Sequence, residues 1–168
     1  MRRAGVMAGV LGLAVAALAD APLPPPAEIT RWSPNRRYCA VADPKRDAVV
    51  VYGVANGQRT ELWAVTPWQR SFDLADDGRH LAVCYSGLNL LPLDYKPEWT
   101  MLQFYDQARL VRKWSLRELV PDLGKLTRTA SHYQWGQCVG FAADGQYQVR
   151  TADRGLLHFD AGTGTLIQ

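Results

Sequence analysis

Three stretches of the chain align without gaps: Trp32-Ser33-Pro34-Asn35-Arg36-Arg37-Tyr38-Cys39-Ala40-Val41-Ala42, Leu74-Ala75-Asp76-Asp77-Gly78-Arg79-His80-Leu81-Ala82-Val83-Cys84 and Phe141-Ala142-Ala143-Asp144-Gly145-Gln146-Tyr147-Gln148-Val149-Arg150-Thr151. Each passes from an apolar residue into a turn carrying Asn or Asp, twice followed by Gly, and out into a short apolar-rich run. Asp-Gly tolerates the positive φ of a tight hairpin, so these turns favour paired antiparallel strands. A second hairpin pattern follows each turn. Ala48 to Val54 is β-branched and aromatic, Asn56-Gly57 turns, and Thr60 to Val65 resumes the strand pattern. Met101 to Asp106, Gln107-Ala108 and Arg109 to Leu116 repeat it, as do Leu156 to Asp160, Gly162-Thr163-Gly164 and Thr165 to Ile167. Each repeat therefore reads as four short antiparallel strands. The 14 Gly, 10 Pro, 6 Trp and 7 Tyr suit such a turn-rich β protein better than a helical bundle. Hydrophobic residues at 48% and charged residues at 21% exclude disorder and collagen-like repeats.

The repeats begin 42 and 67 residues apart, at Trp32, Leu74 and Phe141. The first interval is close to the ~40–45 residues of a four-stranded propeller blade, and the second is a blade with insertions. Ser86 to Thr100 reads as a long loop inside the second repeat. Leu116 to Leu123 reads as a short helix, with Ser115 as its cap, Glu118 completing a capping box and Pro121 ending it. Gly124 to Tyr133 reads as a polar linker into the third repeat.

The three turns, together with Phe104-Tyr105-Asp106, Phe159-Asp160 and Gly162-Thr163-Gly164-Thr165-Leu166, resemble the blades of WD-repeat-like and quinoprotein-like β-propellers. The resemblance implies an all-β fold of about three four-stranded antiparallel blades with one short helix. Propellers have 4–8 blades, so three leave an open assembly, a ring completed by self-association, or else a sandwich. Radial packing would bury Trp32, Trp63, Trp114, Trp135, Val49, Val51, Leu81, Val83 and Phe141. Successive blades are neighbours in such a fold. If one disulfide forms, the resemblance therefore implies Cys84 with Cys138, while Cys39 would meet the third repeat only in a closed ring.

The first residues are read apart from the fold. Arg2 and Arg3 precede an uncharged, apolar run from Ala4, and Ala17-Leu18-Ala19 is a small-x-small site. That is a signal-peptide pattern over 1–19, too short for a comfortable membrane span. Residues 20–27 hold the run Pro22-Leu23-Pro24-Pro25-Pro26, an extended linker, and 28–168 form the propeller-like domain. The expected destination is the periplasm or the exterior. Cleavage after Ala19 would remove two of the 19 basic residues, leaving one net positive charge against 16 acidic residues. Such a balance, without a basic run, argues against nucleic acid as a partner. In an oxidising compartment, three cysteines suggest one disulfide and one leftover thiol, or three buried small apolar residues.

Catalytic signatures are sparse. His80, His132 and His158 show no metal spacing, and His80 aligns with Tyr38 and Tyr147, so packing explains it. Ser131-His132 is an adjacent pair whose side chains would point apart in an extended segment. The acids Asp43, Asp47, Asp76, Asp77, Asp144 and Asp153 fall in turns. Neither a phosphate-cradling glycine loop nor a nucleophile elbow occurs, and no cofactor or metal is expected. The apolar insertion, with Leu88, Leu90, Leu91, Tyr95 and Trp99, is the expected contact surface for another protein or a second copy. Its competing role is to cover an edge of its own sheet. The expected function is an exported binding or scaffold module. The alternative is a small periplasmic hydrolase.

Overall fold

The computed structural model describes residues 23–167, so the expected signal peptide lies outside the described residues. The chain forms β1 (Ile29–Trp32), β2 (Tyr38–Asp43), β3 (Ala48–Ala55), β4 (Gln58–Val65), β5 (Phe72–Leu74), β6 (His80–Cys84), β7 (Leu90–Pro92), β8 (Thr100–Asp106) and β9 (Arg109–Ser115). The helix α1 (Leu116–Leu119) and a 3-10 turn (Leu123–Lys125) follow, then β10 (Thr127–Arg128), β11 (His132–Gln134), β12 (Gly136–Phe141), β13 (Tyr147–Thr151), β14 (Gly155–Phe159) and β15 (Leu166–Ile167). The strands make three four-stranded antiparallel sheets, β1-β2-β3-β4, β5-β6-β8-β9 and β12-β13-β14-β15, one per sequence repeat, and a three-stranded sheet, β10-β11-β7.

The three aligned turns share one mechanism. Asn35, Asp77 and Asp144 occupy the same repeat position, and the side-chain oxygen of each accepts the backbone N–H two residues on, from Arg37 (2.9 Å), Arg79 (2.8 Å) and Gln146 (3.0 Å). The residue between takes positive φ: Arg36 at 57°, Gly78 at 65° and Gly145 at 81°. Asx acceptor and left-handed residue together reverse the chain. Turns also join sheets, since the Asn35 amide nitrogens donate to Asp76 Oδ1 and to the Asp76 carbonyl.

Strand alternation decides how the sheets stack. In the middle sheet, Phe72, Leu74, Leu81, Val83 and Tyr105 pack against Ala40, Ala42, Val49, Val51 and Val65 of the first sheet. Ala82, Cys84, Leu102, Phe104 and Trp114 point the other way, against Tyr147, Val149, Leu157 and Phe159 of the third. The middle sheet thus buries both faces. A matched pair of tryptophans fixes the spacing. Trp63 is the sixth residue of β4 and donates its indole N–H to the Gly78 carbonyl (2.9 Å). Trp114 is the sixth of β9 and donates to the Gly164 carbonyl (2.8 Å). Each ties the last strand of one sheet to a turn of the next.

Several expectations need correction. Trp32, expected in the core, is 41% exposed, with Arg59 over its ring. Trp63 and Phe141 are only partly buried, whereas Trp114, Trp135, Val49, Val51, Leu81 and Val83 are core residues. Ser86 to Thr100 is not a bare loop, because it contributes β7, nor is Gly124 to Tyr133 only a linker, because it holds β10 and most of β11. Leu91 pairs with Tyr133 across these strands. The helix carries the expected capping box but ends at Leu119. Arg154 donates to the carbonyls of Glu118 and Leu119 and so satisfies its C-terminus.

Candidate functional site

The first strands of the three sheets converge. β1 and its turn supply Trp32 and Pro34, β5 supplies Asp73 and Leu74, and β12 supplies Val139 to Phe141, around a shallow recess of about 210 Å³. Alternation sends Phe72 and Leu74 into the core with the first sheet, so Asp73 between them faces the third. There the fully buried Tyr147 donates its hydroxyl to Asp73 Oδ2 at 2.7 Å. Burial pushes the Asp73 carboxyl above its ordinary value, against the Tyr147 hydrogen bond and the Arg31 charge. Burial likewise pushes the Tyr147 hydroxyl well above its ordinary value, and the neighbouring Asp73 charge adds to this. The pair is a carboxyl drawn toward protonation and a phenol held neutral.

The Tyr147 hydroxyl also lies 3.0 Å from Cys84 Sγ. Cys84 on β6 and Cys138 on β12 form a disulfide across the middle and third sheets. Cys39 stays a free thiol, wholly buried, and burial raises its pKa. The disulfide lines a cleft of about 320 Å³ together with Ser71, Leu88, Asn89 and Gln137. Cys84 is 7% exposed, while Cys138 is half-buried.

The insertion residues divide. Leu88 sits beside the disulfide, 53% exposed, and its carbonyl accepts the indole N–H of buried Trp135 (2.7 Å). Leu91 is fully buried in the core. Tyr95 meets Tyr133 edge-on at 5.4 Å, and Trp99 stacks on Tyr85 at 6.2 Å, both packed on the same core. Leu90 is half-buried at the strand. Most of the apolar insertion therefore covers its own protein, leaving Leu88 and Leu93 as its exposed large apolar side chains.

His80 Nδ1 lies 2.6 Å from Asp77 Oδ2, and its Nε2 lies 4.0 Å from Asp106 Oδ1. Arg79 hydrogen-bonds Asp106 and holds its carboxyl well below the usual range. Burial opposes the charge on Asp77, but backbone N–H groups of Arg79 and His80 and the His80 ring outweigh it and lower its pKa. These contacts serve the turn. His158 Nδ1 bonds Gln146 (3.0 Å), and His132 Nδ1 lies 3.1 Å from Ser131 Oγ, so that adjacent pair does meet. Among the described residues no group of three His, Cys, Asp or Glu is placed to hold a metal ion.

The Asp73–Tyr147–Cys84 line escaped sequence reasoning, because its members are up to 74 residues apart. The available signal was an acid between two large apolar residues, Phe72-Asp73-Leu74.

No protein-family model matches the chain, and no curated protein matches it. A solved structure, the hydrazine synthase of Kuenenia stuttgartiensis, is similar at 15% identity and a TM-score of 0.42 over 83% of this chain. The matched part is 35% of that chain.

Proposed function

We propose that this chain is an exported binding or scaffold module of three propeller-like units, acting through protein–protein contacts at the outer faces of its end sheets. The supporting observation is the asymmetry of the stack. The middle sheet buries both faces, while the first and third share only one each with it. On the outer side of the third sheet, Arg150 pairs with Leu156 and His158 with Ile167, and Leu156 and Ile167 are exposed. On the first sheet, Trp32 and Glu61 are exposed at the two ends of a row whose inner members are the wholly buried Cys39 and the half-buried Tyr52. A blade normally meets a neighbour on each side, and large apolar side chains in a polar surround suit a partner surface. The partner is another protein or a second copy of the chain. The leader read at 1–19 delivers the module to the periplasm or the exterior. Among the described residues no helix is long and apolar enough to cross a membrane.

Photo-crosslinking in the exporting cells tests this reading. A benzophenone side chain replacing Trp32 or Leu156 should form adducts, whereas one replacing exposed Lys45 in the β2–β3 turn should not. Equal yields at all three positions, or none at Trp32 and Leu156, would overturn the reading.

A further inference from the structure

We propose that Cys84–Cys138 is an exchange-active disulfide: a low-molecular-weight thiolate entering the adjoining cleft attacks Cys138 Sγ, and Cys84 departs toward the Tyr147 hydroxyl. The cleft of about 320 Å³ lies at the small end of ligand-pocket sizes, and both cysteines line it. The two sulfurs differ. Cys138 is half-buried and is the more accessible of the two, while Cys84 is 7% exposed and has the Tyr147 hydroxyl 3.0 Å away. Exchange requires a reachable sulfur and a stabilised leaving thiolate. A bare thiolate at Cys84 would be a buried charge, which is costly unless it is hydrogen-bonded or protonated.

The incoming sulfur bonds Cys138 Sγ, the bond from Cys138 to Cys84 breaks, and its electron pair goes to Cys84. With Asp73 protonated, its hydroxyl donates to the Tyr147 oxygen across the same 2.7 Å, reversing the hydrogen bond of the carboxylate form, so Tyr147 can pass its own proton to that sulfur as the Asp73 proton replaces it. The products are a mixed disulfide on Cys138, a neutral Cys84 thiol and the Asp73 carboxylate. A second thiolate then attacks the small-molecule sulfur and releases Cys138 as a thiolate. Two small thiols become one disulfide, and the protein gains the two electrons. Burial raises the Asp73 pKa against the Tyr147 hydrogen bond and the Arg31 charge, the direction that populates the protonated form this relay starts from. The bond ties β6 to β12, so opening it frees the third sheet from a covalent link to the middle one.

The test uses the folded full chain and 2-mercaptoethanol at one pH, with quenching by iodoacetamide and peptide mass spectrometry. The expected intermediate carries mercaptoethanol on Cys138 and carbamidomethyl on Cys84. Tyr147→Phe should slow its formation by about tenfold or more, the value of one hydrogen bond to a charged group. A merely structural role for Tyr147 would loosen the cleft and speed the attack. Asp73→Asn keeps a hydrogen-bonding side chain but holds no acidic proton, and should also slow it. An adduct on Cys84, a Tyr147→Phe rate equal to or above that of the unsubstituted protein, or reaction only on global unfolding would overturn the proposal. Should Tyr147→Phe not fold, the adduct position on the unsubstituted protein and the Asp73→Asn rate decide it.

Discussion

Gly78, Gly145 and Arg36 hold the same left-handed position in three turns, so exchanging them separates backbone cost from packing cost. A non-glycine residue pays about 1–2 kcal/mol for this conformation, while glycine gives back about 0.5–1 kcal/mol through its freer unfolded chain. The net backbone difference is about 0.5–1 kcal/mol in favour of glycine. At Gly145 an added Cβ meets nothing within 4 Å. Gly145→Ala should therefore cost only that difference. At Gly78 the Cβ would fall on the Tyr38 ring, which packs on the core between the first and middle sheets. Displacing the ring adds the roughly 1–3 kcal/mol of an overpacked site, so Gly78→Ala should cost about 1.5–4 kcal/mol in total. Arg36 is exposed at φ 57°, and Arg36→Gly should stabilise by about 0.5–1 kcal/mol. Urea unfolding at fixed m reads all three. Equal losses at Gly78 and Gly145, or a clear loss for Arg36→Gly, would refute the reasoning.

Leu91→Ala should cost about 2–5 kcal/mol, as for a fully buried leucine, and lower the melting temperature without changing the sedimentation coefficient. Opening Cys84–Cys138, 54 residues apart in sequence, should cost about 4 kcal/mol by the loop-entropy relation, measured by unfolding before and after reduction. Trp63→Phe and Trp114→Phe should each lose about 1 kcal/mol with their hydrogen bonds to Gly78 and Gly164, read by calorimetry. Asp77, Asp106, Glu118 and Asp160 all have lowered pKa values in the folded chain. They add stability above their ordinary values of 3.8 and 4.5 and lose it as pH falls through the folded ones. Asp73 has the opposite sign, contributing below 3.8 and losing that contribution as pH rises through its raised value. Melting temperature should therefore fall on acidification below about pH 4, with a shallower fall for Asp106→Asn and a steeper one for Asp73→Asn.

The repeated turns were legible because their information is local: an Asx acceptor and a left-handed residue two positions apart specify a reversal without reference to the rest of the chain. Four strands per repeat followed from that. The fourth sheet was not legible. β7 is three residues ending in Pro92, β10 is two residues long, and Leu91 finds Tyr133 across more than forty positions. No alternation can show in runs so short. Trp32 misled because its size suggests burial, yet the register places it in a row that ends at Glu61. Asp73 and Tyr147 meet only because alternation in β5 and β13 aims both across one sheet interface. The apolar insertion was visible, but composition alone does not tell a surface that caps its own sheet from one that binds a partner.

The claim that the end sheets carry the contacts is tested most directly by hydroxyl-radical footprinting in two states: the exported fraction with native contacts intact, and the purified chain at high dilution. Trp32, Leu156 and Ile167 should be protected in the first state and oxidised in the second, while the fully buried Trp135 stays protected in both. Equal oxidation of Trp32, Leu156 and Ile167 in the two states would contradict the proposed role of those faces.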